Sequence, residues 1–211
     1  MRRKLLKARK LYLIINVAPG QRLPLASINN LVRGKGIDII QLRYKRAMFS
    51  RFLKYAISLR RMCNDFGILF IINDRADIAL ACGADGLHIG QDDIMPYMAR
   101  RILGDDKIIG LSTHSQTQIR EASVLKDVDY IGVGPVFKTA MKPHAKPVGL
   151  KLIKYISSLK YNRPFFPIGG INIENVMKIA KAGAERAAVS RGILDSTNPL
   201  KAIRVLREAL S

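Results

Sequence analysis

No stretch of this chain approaches the run of about 18 apolar residues that a membrane-spanning helix needs, which excludes a transmembrane segment of that kind. Cysteine is scarce: Cys63 and Cys82 are the only two, and they lack the paired spacing of a zinc site. They read as free thiols in a reducing cytoplasm. Acidic side chains are also few, with 16 Asp and Glu against 36 Lys and Arg and a net charge of +20. Such a field draws in anions, whether phosphorylated metabolites, nucleic acid or acidic membrane surfaces. The cations are not gathered with interleaved aromatics, so no specific nucleic-acid surface is read from them. Many of them (Arg51, Lys54, Arg60, Arg61, Lys151, Lys154, Lys178, Lys181) fall on segments with helical spacing and read as a solvated outer face. No small-residue cleavage pattern follows the basic head and the short apolar run Leu11–Ile15, so residues 1–10 read as a basic lead-in to a strand. Linkers and low-complexity tracts are missing too, and residues 1–211 are expected to form one domain.

What is present is alternation. Short β-branched runs at Leu11–Val17, Ile37–Arg43, Ile68–Asn73, Gly86–Ile89, Lys107–Ser112, Tyr130–Val133, Phe165–Ile168 and Ala187–Ser190 are separated by segments with helical periodicity. Phe52, Tyr55, Ala56, Leu59 and Met62 mark one such helix, and Ile173, Val176, Met177, Ile179 and Ala180 another. A last helix over Asn198–Leu210 opens with an Asn cap and Pro199 at its first position. Eight strands alternating with helices in a chain of 211 residues predict a parallel sheet closed into a (β/α)₈ TIM barrel. A doubly wound open sheet is the weaker alternative, because Asn16-Val17-Ala18-Pro19-Gly20 after the first strand is a poor glycine fingerprint.

In a barrel the active face is built by the carboxyl ends of the strands and the loops that follow them. Polar residues collect there in this chain. Asp74 closes the apolar run Leu69–Asn73, and Asp93 follows the strand Gly86–Ile89, where carboxylates have no packing role. Arg43, Lys45 and Lys142 stand at neighbouring strand ends. Two carboxylates among fixed cations suit Mg²⁺ and a polyphosphate, since Mg²⁺ takes few protein carboxylates and completes its shell with phosphate oxygens and water. By alternation Gln41, Arg43 and Lys45 share one side of their strand. Asn73 and Asp74 also fit a helix cap. His88 reads as a satisfied barrel histidine rather than a catalyst. Ser112 suits either a phosphate or a cap. The long Gly- and Pro-rich loop from Gly132 to His144 and the pair Gly169-Gly170 fit phosphate-binding segments.

These motifs resemble one family along most of the chain. Gln41-Leu42-Arg43-Tyr44-Lys45, Ile72-Asn73-Asp74-Arg75, Asp85–Asp93, Gly110-Leu111-Ser112-Thr113-His114, Asp129–Phe137 and Ile168-Gly169-Gly170-Ile171 occur in the order found in thiamine-phosphate synthase and its relative, thiazole tautomerase. The resemblance implies a cytoplasmic enzyme that joins a hydroxymethylpyrimidine diphosphate to a thiazole phosphate and releases pyrophosphate. It implies Mg²⁺ held by Asp74 and Asp93. The diphosphate would be gripped by Arg43, Lys45, Asn73, Ser112 and Lys142, and the pyrimidine addressed by Gln41. Thr139, the backbone at Gly170, and Ser190 would sit near the thiazole phosphate. Two departures bear on that last group. Met141 stands where the family has a second threonine, and a thioether donates no hydrogen bond. The segment Val189-Ser190-Arg191-Gly192 replaces the usual strand-8 signature, with Arg191 able to supply a charge. The tautomerase, with His114 as its acid–base candidate, and a non-catalytic barrel that binds anions or nucleic acid are the alternative readings. Nothing in the sequence specifies an oligomeric state.

Overall fold

A computed structural model describes residues 2–18, 20–140, 144–159 and 161–211. Eight parallel strands carry the fold: β1 (Leu11–Asn16), β2 (Ile39–Arg43), β3 (Leu69–Asn73), β4 (Gly86–Ile89), β5 (Ile108–Thr113), β6 (Tyr130–Val133), β7 (Phe165–Pro167) and β8 (Ala187–Val189). They pair in the order β7-β6-β5-β4-β3-β2-β1-β8, and a bridge between Ile168 and Ala188 joins the two ends of that order. This is the (β/α)₈ barrel that the alternation predicts, with strand ends shifted by one or two residues. The helices are α1 (Arg2–Lys7), α2 (Leu25–Arg33), α3 (Phe49–Asp65), α4 (Ala76–Ala81), α5 (Pro96–Leu103), α6 (Gln116–Val124), α7 (Gly149–Ser158), α8 (Val176–Lys181), α9 (Arg191–Leu194) and α10 (Pro199–Ala209). None among the described residues is long and apolar enough to cross a membrane.

Each strand lies between the barrel interior and the helix layer, so both faces are dry. All five residues of β3 are buried, which explains its unbroken apolar run. Helices bury one stripe: α3 covers Phe52, Ala56, Leu59 and Cys63 against the sheet. Burial pushes the Cys63 thiol up, and the half-buried Cys82 in the same direction, so both stay protonated. Asn198 caps α10 by accepting from the Lys201 N–H at 3.0 Å, with Pro199 at the first position. Two expectations from periodicity are corrected. Ile173 lies ahead of α8 and is exposed, because the chain first turns through residues 172–175. Arg60 leaves the solvated face, for a reason given below.

Inside the barrel, Tyr12, Ile14, Ile39, Leu69, Ile71, Ile108, Tyr130, Phe166 and Ala188 form a cluster of their own. Leu6 joins it from α1, only 1% exposed, so the basic head is a helix that places an apolar side chain against the interior. Gly110 makes room for the largest ring, because a Cβ there would sit 2.1 Å from the Tyr130 side chain. Tyr12 and Tyr130 both pack edge-on against Phe166, an arrangement aromatic pairs favour.

At the opposite end from the mouth, one device recurs. Asp38, Asp85 and Asp129 each stand just before an even-numbered strand and accept the N–H of a residue in the preceding strand. The donors are Leu11 at 3.0 Å, Phe70 at 2.9 Å and Ile109 at 2.8 Å. Each carboxylate also takes an arginine: Arg207 at 2.7 Å, Arg60 at 2.6 Å and Arg100 at 2.8 Å. These ties anchor helices α10, α3 and α5 to the strand starts, and this is why Arg60 turns inward. Asp85→Ala leaves a nearly buried guanidinium and the Phe70 N–H without their acceptor. We expect a loss of about 3–5 kcal/mol, the usual cost of breaking a buried pair, seen as a lower denaturant midpoint at unchanged slope.

Candidate active site

The carboxyl ends of the strands enclose a cavity of about 430 Å³. Every described residue that the sequence nominated lines it: Gln41, Arg43 and Lys45 from β2 and its loop, Asn73 and Asp74 after β3, Asp93 after β4, Ser112 on β5, and Thr139, Gly170 and Ser190 around the remaining wall. Lys142 and Met141 lie outside the described residues.

Asp74 leaves β3 with φ at +63°, in the left-handed region that aspartate tolerates better than most residues. Its N–H bonds the His88 carbonyl at 2.9 Å, which pins the turn to β4. The Lys45 ammonium lies 3.3 Å from its carboxylate. Asp93 is fixed by accepting the Gly90 N–H at 2.7 Å. Burial raises the Asp74 pKa, the adjacent Asp93 carboxyl raises it further, and Lys45 opposes both. Arg43 donates to Asn16 and belongs to the same cluster: burial lowers its pKa, while Asp74 and Asp93 pull it back up. The two carboxylates therefore face one another among cations. Among the described residues no group of three or more metal-ligating side chains is gathered. A hard divalent ion that needs only one or two carboxylates fits this pair, because it would relieve the repulsion that raises Asp74.

Below the cluster runs a continuous hydrogen-bond chain. The Gln41 amide donates to the Tyr12 hydroxyl at 2.8 Å, Tyr12 meets Tyr130 at 2.9 Å, Tyr130 meets His88 Nδ1 at 3.0 Å, and His88 Nε2 meets Ser112 Oγ at 2.9 Å. With Gln41 as donor, each hydroxyl passes its own hydrogen onward. His88 then carries its proton on Nε2, and the Ser112 hydrogen is left to donate into the cavity. Burial pushes both tyrosine pKa values up, so both hydroxyls keep their protons. His88 is thus the satisfied barrel histidine that the sequence suggested, with both ring nitrogens engaged. The two tyrosines escaped notice. Their inward alternation on β1 and β6 was the available signal, but ring size alone reads as core.

On the far wall, Gly170 has φ at +67°, and a Cβ there would lie 2.6 Å from the Lys138 carbonyl. The loop following β7 is tied by Asn175, which donates to the Gly170 carbonyl at 2.8 Å and accepts from the Asn172 N–H at 2.9 Å. Ser190 directly precedes α9, and Arg191 at the cavity edge pairs with Asp195. His114 is held through Nδ1 by the Gly134 carbonyl. Asn172, Asn175 and Asp195 were not read from the sequence, because nothing local separates them from ordinary capping residues.

A barrel mouth ringed by cations and holding two adjacent carboxylates defines a class: (β/α)₈ proteins with a charged pocket at the carboxyl ends of their strands. Comparison with known proteins narrows this. The chain belongs to the thiamine monophosphate synthase family, whose description matches residues 11–193. It is 41% identical over 193 residues to the thiamine-phosphate synthase of Acidothermus cellulolyticus, covering 92% of this chain and 91% of the relative. Against the thiamine-phosphate synthase of Prochlorococcus marinus (strain MIT 9313) the identity is 44% over 175 residues, covering 83% of this chain and 49% of the relative. The chain thus spans about half the length of that relative. A solved thiamine phosphate pyrophosphorylase from Pyrococcus furiosus superposes with a TM-score of 0.83 at 31% identity, covering 99% of this chain and 96% of the other.

Because the folded Asp74 pKa is raised, its contribution to stability is present below the ordinary carboxylate range and is lost as pH rises through the folded value. Asp74→Asn is therefore expected to raise the melting temperature at neutral pH in buffer free of divalent ions. The gain should vanish near pH 3, about one unit below the unperturbed aspartate value. A neutral-pH melting temperature at or below the wild type contradicts this account.

Proposed function

We propose that the protein is a thiamine-phosphate synthase, a transferase that joins the methylene carbon of hydroxymethylpyrimidine diphosphate to the nitrogen of a thiazole phosphate. The observation that carries this reading is the convergence of Asp74, Asp93, Arg43, Lys45, Asn73 and Ser112 on one cavity. In the reaction the carbon–oxygen bond to the diphosphate breaks and its electron pair leaves with pyrophosphate. The electron-rich pyrimidine steadies the carbon, and the thiazole nitrogen lone pair forms the new bond. No strong base is required, which agrees with a site whose histidines are both tied to protein partners.

The demand on the protein is to stabilise charge growing on the leaving group. Arg43, Lys45 and the Ser112 hydroxyl are preorganised donors for it, with Lys142 joining them on the resemblance. Asp74 and Asp93 would hold Mg²⁺, which supplies further charge neutralisation when bound. One Gln41 amide hydrogen is donated to Tyr12, which fixes the side chain, and its carbonyl would accept from the pyrimidine amine. Gly170, Ser190 and Thr139 receive the thiazole phosphate, with Arg191, paired with Asp195, at the edge of the same cavity. Positioning the two rings in contact contributes much of the remaining acceleration.

Purified protein given both phosphorylated precursors and Mg²⁺ should form the C–N product and release one pyrophosphate for each. Asp93→Ala should lose at least about 100-fold in kcat, in line with removal of a main electrostatic support. Absence of pyrophosphate at every Mg²⁺ concentration refutes the synthase. Tyr130→Phe interrupts the hydrogen-bond chain without touching substrate. We expect kcat to fall about tenfold, as for one net hydrogen bond, with KM for the thiazole phosphate unchanged; a full-rate variant removes the chain's role.

A further inference from the structure

We propose that the barrel carries a second, smaller site at the end opposite the mouth, between β7 and β8, which binds a free oxyanion of carboxylate or phosphate type. The starting point is the repeated aspartate device. Register places Leu11 opposite Asp38, Phe70 opposite Asp85 and Ile109 opposite Asp129, one step before the pairs Tyr12–Ile39, Ile71–Gly86 and Gly110–Tyr130. The bridge from Ile168 to Ala188, stepped back by three, puts Phe165 opposite Glu185. Glu185 is therefore the fourth member, and Gly183-Ala184-Glu185 repeats the tripeptide Gly83-Ala84-Asp85.

The fourth position is built differently. The Glu185 side chain is 74% exposed and, among the described residues, pairs with its neighbour Arg186 at 3.2 Å instead of entering the sheet. Helix α7 has no arginine to match Arg60 on α3 or Arg100 on α5. In the place of a carboxylate and its guanidinium there is a cavity of about 210 Å³, lined by Ser157, Tyr161, Arg163, Phe165, Arg186 and the rim residue Glu185.

Its lining holds unpaired polar atoms. Among the described residues, four buried side-chain polar atoms make no hydrogen bond, and three of them belong to this cavity: Ser157 Oγ, Tyr161 Oη and Arg186 Nε. Unpaired buried donors are rare and costly, so their concentration in one cavity calls for an acceptor. The guanidinium of Arg186 brings positive charge to this wall. Burial raises the Tyr161 pKa while the Arg163 guanidinium, which interacts with the hydroxyl oxygen, opposes the rise; the phenol keeps its hydrogen, and that hydrogen has no acceptor among the described residues. Arg163 is itself anchored to the Ala122 carbonyl at 2.8 Å, so the wall is fixed before anything binds. Donors with positive charge and no competing inward carboxylate select a small anion, seated where an aspartate carboxylate sits at the other three positions. The inference does not rest on the proposed synthase activity.

Isotope-labelled protein titrated separately with acetate and with inorganic phosphate, at ionic strength held constant with chloride, tests it. The Gly183 and Phe165 amides should show saturable shifts with a Kd of about 1–10 mM, a weak but specific range. Tyr161→Phe and, independently, Ser157→Ala should weaken that response at least fivefold. Glu185→Ala, which removes the tethered carboxylate beside Arg186, should strengthen it. Saturation by acetate alone or by phosphate alone identifies the ligand class and supports the site. Shifts confined to Gly90 and Gly170 at the mouth, or a linear response at Gly183 for both anions, would mean that water satisfies these donors and would overturn the proposal.

Discussion

The narrow interior of an eight-stranded barrel is the constraint on which the rest depends. Closing the sheet leaves room only for side chains, so every strand must supply residues that fill the axis without clashing. Here the filling changes character along the axis. Leu6, Leu69, Ile108 and Phe166 make part of it apolar, while Tyr12, Tyr130, Gln41 and His88 form a polar layer beneath the mouth. That layer avoids the cost of burying polar groups by bonding them to each other, and its last member, Ser112, opens to the cavity. The packing that closes the barrel thereby also sets the direction of a donor at the site.

The two ends of the barrel use the same residue type for opposite purposes. Asp38, Asp85 and Asp129 lie at the strand starts, each saturated by a backbone N–H and an arginine, and serve to hold helices on the sheet. Asp74 and Asp93 lie at the strand ends beside each other, where burial first and then the neighbouring carboxyl raise the Asp74 pKa. One arrangement is fully neutralised by the fold. The other is offset only in part, by Lys45 at 3.3 Å from Asp74. Net charge follows the same logic: Arg60, Arg100 and Arg207 serve the fold, whereas Arg43 and Lys45 serve the mouth.

Much of this was legible in the residues. Strand–helix alternation marked the barrel, because parallel strands buried on both faces leave unbroken apolar runs such as Leu69–Ile72. Polar residues ending those runs marked the mouth, because solvent-free strands have no reason to end in Asp74 or Arg43. Pairing across sequence distance was not legible. Nothing near Arg60 announces Asp85, so its place on a basic helix suggested solvent. Tyr12 and Tyr130 stand 118 residues apart, and their contact exists only once β1 and β6 share an interior. The head carried Leu5 and Leu6 among cations, too short a pattern to show that one leucine would reach the barrel interior. An aspartate directly before each of β2, β4 and β6 carries no meaning in the sequence alone; register shows what each carboxylate accepts.

By itself the sequence determined the kinds of element, their order, and the residue types at each strand end, because these follow from local burial and backbone chemistry. Tertiary structure alone decided which charges neutralise each other, which carboxylates remain in mutual repulsion, and which way the buried hydrogen-bond chain runs. Those outcomes depend on distances between residues far apart in the chain, and closure of the sheet sets those distances all at once.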